Sequence, residues 1–166
     1  MGMDLFDQLL PIKERRENSA ARKVVAQRRA LQEAQAGRDS AQRQLDDYRD
    51  YAHTQEHRIF KALCERPVKL RDIEDANARV LAMRATESDH QDALQAAEAA
   101  RASHERQLDA DRMAHRQAMH KRDKFMDLAD LFNQEARALA EYAAEAEIEE
   151  VAQNQKPGAS PAGAFA

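Results

Sequence analysis

The chain has 166 residues, 43% hydrophobic but only 5% aromatic with no Trp, 34% charged, and a formal net charge of −4. An Ala-, Glu-, Arg- and Gln-rich chain with so few aromatics suits long helices and cannot build a large core, and its acidic balance argues against general nucleic-acid binding. No apolar run approaches the ~18 residues of a membrane span, neither a secretory nor a myristoylation signal opens the chain, and a single cysteine, Cys64, excludes an internal disulfide and fits a reducing cytosol.

Residues 1–10 form a short lead with Leu5, Phe6, Leu9 and Leu10 at helical spacing. Pro11 fits the first turn of a helix, where its missing N–H costs little, so the first helix is predicted over 11–66. Within that stretch the only Gly is Gly37. From Val24 a heptad register holds. Its a positions are Val24, Leu31, Arg38, Leu45, Ala52 and Ile59, and its d positions are Gln27, Ala34, Ala41, Tyr48, Gln55 and Ala62. A stripe repeating every 3.5 residues or so is a coiled-coil seam. Pro67 ends the helix, because a residue before proline avoids the helical region, and 67–71 reads as a hinge.

The second helix is predicted over 72–152, with Asp72, Glu74 and Asp75 in its first turn, where carboxylates favour the positive end of the macrodipole. No Pro or Gly occurs between Val68 and Lys156. Its seam begins at Ile73 and Ala76, turns polar at His90, His104 and His115, and becomes apolar again from Phe125. Residues 153–166 are rich in Pro, Gly, Ala and Ser and read as a disordered tail. The whole predicts an all-α fold, a long antiparallel two-helix coiled-coil hairpin. Equal rise on both sides of the hinge sets Pro11 opposite residues 120–125. The longer second helix then protrudes, and Phe125 to Val151 is left without a partner in its own chain. Exposed apolar surface of that extent marks an interaction site.

No catalytic constellation, cofactor motif or metal set emerges from the residues. His53 and His57 have the i, i+4 spacing of a ligand pair, yet no third ligand accompanies them, and solvent-exposed histidines are the expected reading. His90, His104 and His115 sit on seam positions, where polar residues trade stability for register. Two helices offer no concave pocket for catalysis. Charge, by contrast, is segregated. Lys13, Arg15, Arg16, Arg22, Lys23, Arg28 and Arg29 make the start of helix one basic, and the hairpin brings them near Arg112, Arg116, Lys121, Arg122 and Lys124. Two basic segments held side by side repel unless a partner supplies carboxylates. The far end, with Glu141, Glu145, Glu147, Glu149 and Glu150, is acidic. On helix one Tyr48 falls on the seam, whereas Tyr51 points outward, where a polar-tipped aromatic suits recognition.

LLPIKERRENSA at residues 9–20, RPVKLRDIE at residues 66–74 and the helical-hairpin length together resemble the type III secretion central stalk family. Its injectisome members are called YscO and its flagellar member FliJ. The resemblance implies a non-enzymatic, cytoplasmic stalk at the base of the secretion apparatus, docking in the hexameric export ATPase and reaching the export gate. It also implies an escort role towards secretion chaperones. The Leu and Tyr of the flagellar member's gate-binding patch match Leu45 and Tyr48 in spacing, its His corresponds more loosely to His90, the outward Tyr51 is added, and its second tyrosine falls on Ala52. The ATPase-ring surface is expected at Phe125, Leu128, Phe132 and Leu139, collared by Arg15, Arg16, Arg22, Lys121 and Arg122. Two other readings of the same rod are a prefoldin-like chaperone or adaptor and a dimer of straight rods.

Overall fold

The computed structural model describes residues 2–154. The fold is an all-α antiparallel hairpin of two helices, α1 (Gly2–Cys64) and α2 (Leu70–Asn154). Two compact units divide the described residues, one formed by Asn18–Arg116 and the other by the stretches up to Glu17 and from Gln117 onward.

In the unit Asn18–Arg116 the heptad register is the packing seam. Val24, Leu45, Ala52, Val80 and Leu108 are the buried hydrophobic residues, and all occupy a positions. The remaining seam residues from Gln27 to Ile59, and from Ala76 to His115, are half-buried. Ala62 and Ile73, nearest the turn, are exposed. The polar seam residues are used rather than merely tolerated. Gln27 Nε2 donates to His104 Nδ1 at 2.8 Å and to the His104 carbonyl at 3.3 Å. Flanking ion pairs cross between the helices, Arg49–Glu87 at 2.8 Å and Arg38–Glu98 at 3.6 Å. Exposed pairs of this kind are each worth about 0–1 kcal/mol, so they set alignment more than stability.

The turn joins the helices through a local cap. Lys69 N–H donates to Asp72 Oδ2 at 3.0 Å, while Asp72 N–H donates to the Lys69 carbonyl at 3.0 Å. This is the reach-back of an acidic residue at the third helical position to the N-cap. Consequently α2 starts at Leu70 rather than at residue 72, and only Asp72 of the three predicted carboxylates lies in its first turn.

The predicted start of the first helix is corrected. α1 begins at Gly2 and Pro11 lies inside it. An interior proline loses a backbone hydrogen bond and clashes with the preceding turn, at a cost of ~3 kcal/mol. Phe6 supplies an offset, because its ring meets those of Phe125 and Phe132 at centroid distances of 5.1 and 5.5 Å. Burying a Phe contributes about 1.5–3 kcal/mol and each aromatic pair about 0.5–1.5 kcal/mol more. Phe6 is half-buried, so these contributions offset part of the penalty, and the helix runs through. The same register therefore continues upstream of Val24, with Leu10 and Glu17 at a and Phe6 and Lys13 at d, all half-buried.

A second correction follows for α2. Phe125 and Phe132 have an intrachain partner in Phe6, so the unpartnered stretch does not begin at Phe125. Every residue from Arg137 to Gln153 is exposed. Gln153 and Asn154 belong to α2, and the rest of the predicted tail, 155–166, lies outside the described residues.

Candidate partner-binding surfaces

The first candidate surface lies in the unit Asn18–Arg116. One heptad of α1 places Leu45 at an a position and Tyr48 at the next d position, and His90 comes from the facing d position of α2. The Tyr48 ring packs against His90 at 5.0 Å and against Tyr51 at 5.8 Å. Tyr51 is 54% exposed and Leu45 is 2% exposed. Leu45 thus offers a partner no surface. It acts from beneath, fixing the helix from which Tyr48 and Tyr51 project. Ala52 is buried in the same seam. The surface presented is an aromatic ledge of Tyr51, Tyr48 and His90, bordered by the Arg49–Glu87 pair.

The second candidate surface lies in the unit of the two chain ends. Leu128, Leu131 and Leu139 are 53%, 56% and 72% exposed, and Phe132 keeps 43% of its surface free despite its contact with Phe6. Phe125 is half-buried, with the Lys13 ammonium 5.8 Å from its ring centroid. That cation–π geometry holds Lys13 across the interhelical seam.

The basic collar is less bare than its sequence suggests. Arg122 donates to Glu17 at 3.2 Å and to Asp123 at 2.7 Å. The hydrogen bond that Arg122 donates to Asp123 holds the guanidinium above its usual range, against partial desolvation, and the charges of Asp123, Glu17 and Glu14 add to it. Repulsion between the two basic segments is therefore relieved inside the chain at this point, not only by a partner. Arg15, Arg16 and Lys121 remain exposed. Arg22 belongs to the other unit, where it is exposed and borders a shallow apolar depression with Ala21, Val25 and Arg29.

Sequence reasoning missed two features. Phe6 was recognisable as part of an apolar lead, but the proline masked its helical register. The apolar residues around the turn, Phe60, Val68 and Leu70, are 55%, 41% and 72% exposed, and only their position beside Pro67 hinted at it. Cys64 is exposed near the same turn. His53 and His57 are exposed, and among the described residues no group of three or more His, Cys, Asp or Glu side chains is placed to hold a metal ion. No described helix is long and apolar enough to cross a membrane.

Comparison with known proteins adds to this geometry. Residues 6–154 match the family described as type III secretion protein YscO. No protein of curated description matches the sequence. Among solved structures, the chain is similar to the 2.8 Å crystal structure of the type III secretion protein YscO from Vibrio parahaemolyticus, with a TM-score of 0.85 and 22% identity. That likeness covers 90% of this chain and 94% of the other, and it supports the fold.

Proposed function

The chain belongs to the YscO family of type III secretion proteins, and from that premise we propose that it is a non-enzymatic central stalk of a secretion apparatus. In this reading the C-terminal end of α2 protrudes into the hexameric export ATPase, and the aromatic ledge of Tyr48, Tyr51 and His90 meets the export gate at the cytoplasmic base. The same hairpin would serve as an escort for secretion chaperones.

The observation that carries the reading is the inequality of the two helices. α1 has 63 residues and α2 has 85, and α2 stays helical from Arg137 to Gln153 with every residue exposed. Leu139, Tyr142, Ile148 and Val151 in that stretch are 72%, 77%, 68% and 56% exposed. A helix without tertiary packing is marginal in water. Enclosure in a ring would bury these side chains, each contributing about 1.5–3 kcal/mol. Arg15, Arg16 and Lys121 would stand at the ring's mouth, where attraction to carboxylates weakens with added salt.

Truncation after Ala136 tests the reading, since it leaves the contacts of Phe6 with Phe125 and Phe132 in place. The truncated chain should keep its helical hairpin and lose binding to the ATPase hexamer. Wild-type affinity after truncation would reverse the orientation and make the exposed apolar turn around Phe60, Val68 and Leu70 the docking end.

A further inference from the structure

The exposed face of α2 between Lys121 and Glu149, part of which the stalk reading sets against the ATPase ring, also carries a symmetry that reading does not require. Lys121, Leu128, Glu135, Tyr142 and Glu149 follow one another at intervals of seven residues and so share one face of the helix. All five are exposed. Read outward from Glu135, the pattern is complementary to its own reverse. Leu128 mirrors Tyr142, Leu131 mirrors Leu139, and Lys121 mirrors Glu149. Lys124 falls within a turn of the mirror position of Glu145. Beyond the apolar centre one side presents Lys121 and Lys124 on this face, with Lys13, Arg15 and Arg16 of α1 nearby and Asp123, Asp127 and Asp130 interspersed on the flanks. The other side is acidic, through Glu141, Glu145, Glu147, Glu149 and Glu150.

We propose that two copies of this chain associate tail to tail, the C-terminal stretch of α2 in each lying antiparallel along that of the other about a two-fold axis at Glu135. A two-fold interface must be self-complementary, residue i meeting j while j meets i. An unrelated partner imposes no such mirror on the sequence. The apolar centre, Leu128, Leu131, Leu139 and Tyr142, becomes covered in both copies, and Glu149 of each meets Lys121 of the other, with Lys124 within a turn of Glu145. The overlap runs from Lys121 to Glu149, about 40 Å of helix. The two Glu135 side chains meet as like charges on the axis and Asp123 mirrors Glu147 on the flank, and these repulsions keep the dimer weak and reversible. This goes beyond the stalk reading and does not depend on it. The paired form covers Leu128 and Leu139, so an ATPase ring and a second copy would compete for one surface.

Sedimentation of the full chain without any ATPase tests the pairing. At low salt the wild type should pass from monomer to dimer as concentration rises, and high salt should weaken the dimer, because charge attraction across an exposed rim is screened. Lys121→Glu and Glu149→Lys should each weaken it about tenfold, since each turns two symmetric attractions into repulsions. The two changes in one chain should restore it. Residues 121 and 149 lie about 40 Å apart on one helix, so only contact between copies explains a restoration. Glu135→Gln should tighten the dimer. A wild type that stays monomeric at every concentration, or a dimer whose affinity ignores the single reversals or is not restored by the double change, overturns the proposal. None of these readouts involves ATPase binding, so the stalk reading stands or falls separately.

Discussion

Leu45 and Tyr51 lie within two turns of each other on α1 and do opposite work. At 2% exposure Leu45 is a core residue, and Leu45→Ala should lower stability by about 2–5 kcal/mol, the range for truncating a buried leucine, measured by chemical denaturation. Tyr51, 54% exposed, should behave differently. Tyr51→Ala is expected to change stability by no more than ~0.5 kcal/mol while weakening binding to the export gate. Wild-type gate binding and secretion by that variant would leave Tyr51 as plain surface. Gly37 is a third kind of residue. A Cβ built there meets nothing within 4 Å, and its φ is not positive, so glycine's conformational freedom serves no purpose at this helical position. Gly37→Ala should therefore stabilise the protein by about 0.5–1 kcal/mol, and a loss of stability would mean that the site is strained or in contact with something.

At the scale of the helices, sequence pattern and structure agree wherever apolar or small residues mark the seam. Val24, Leu45, Ala52, Val80 and Leu108 could be placed from the heptad alone, because the period that defines a seam is also what buries it. The register was illegible upstream of Val24 for a physical reason. Glu17 and Lys13 occupy seam positions there, and charged residues at a and d look like the end of a coiled coil. Glu17 faces Arg122 at 3.2 Å, and Lys13 lies over the Phe125 ring, so both charges are compensated by partners more than a hundred positions away. Of the candidate sites, the outward Tyr51 could be read from the seam. The partnering of Phe125 could not, because Pro11 reads as the start of the helix and hides Phe6 upstream of it. Phe6 is the residue that restores the missing turns. Phe6→Ala should fray α1 ahead of Pro11, seen as faster amide exchange before residue 11 with little change between Val24 and Ile59. Unchanged exchange would show that the helix tolerates Pro11 without its aromatic anchor.

For the molecule as a whole, a thin seam raises the question of what keeps the two helices in one chain. The same a and d contacts would form if two chains opened at the turn and exchanged helices, so seam energetics alone cannot choose between hairpin and exchanged dimer. The choice lies in the turn. Pro67 interrupts the helix and the Lys69–Asp72 cap restarts it, so a continuous rod would have to accept an interior proline and lose the cap, a combined cost of several kcal/mol. A cross-link across the seam reads this out directly. Gln27 and His104 occupy d positions and their side chains meet at 2.8 Å, so cysteines at both places, with Cys64→Ser to remove the native thiol, should be bridged within one chain by a short bifunctional thiol reagent. The product should run as a monomer on a non-reducing gel at every protein concentration. Closing a loop that joins residues 77 positions apart should also stabilise the fold by about 4–5 kcal/mol on the chain-entropy account. Cross-linked dimers that persist on dilution before the reagent is added would show that the helices exchange between chains. The tail-to-tail pairing of α2 predicts no such products, because it leaves each seam inside its own chain.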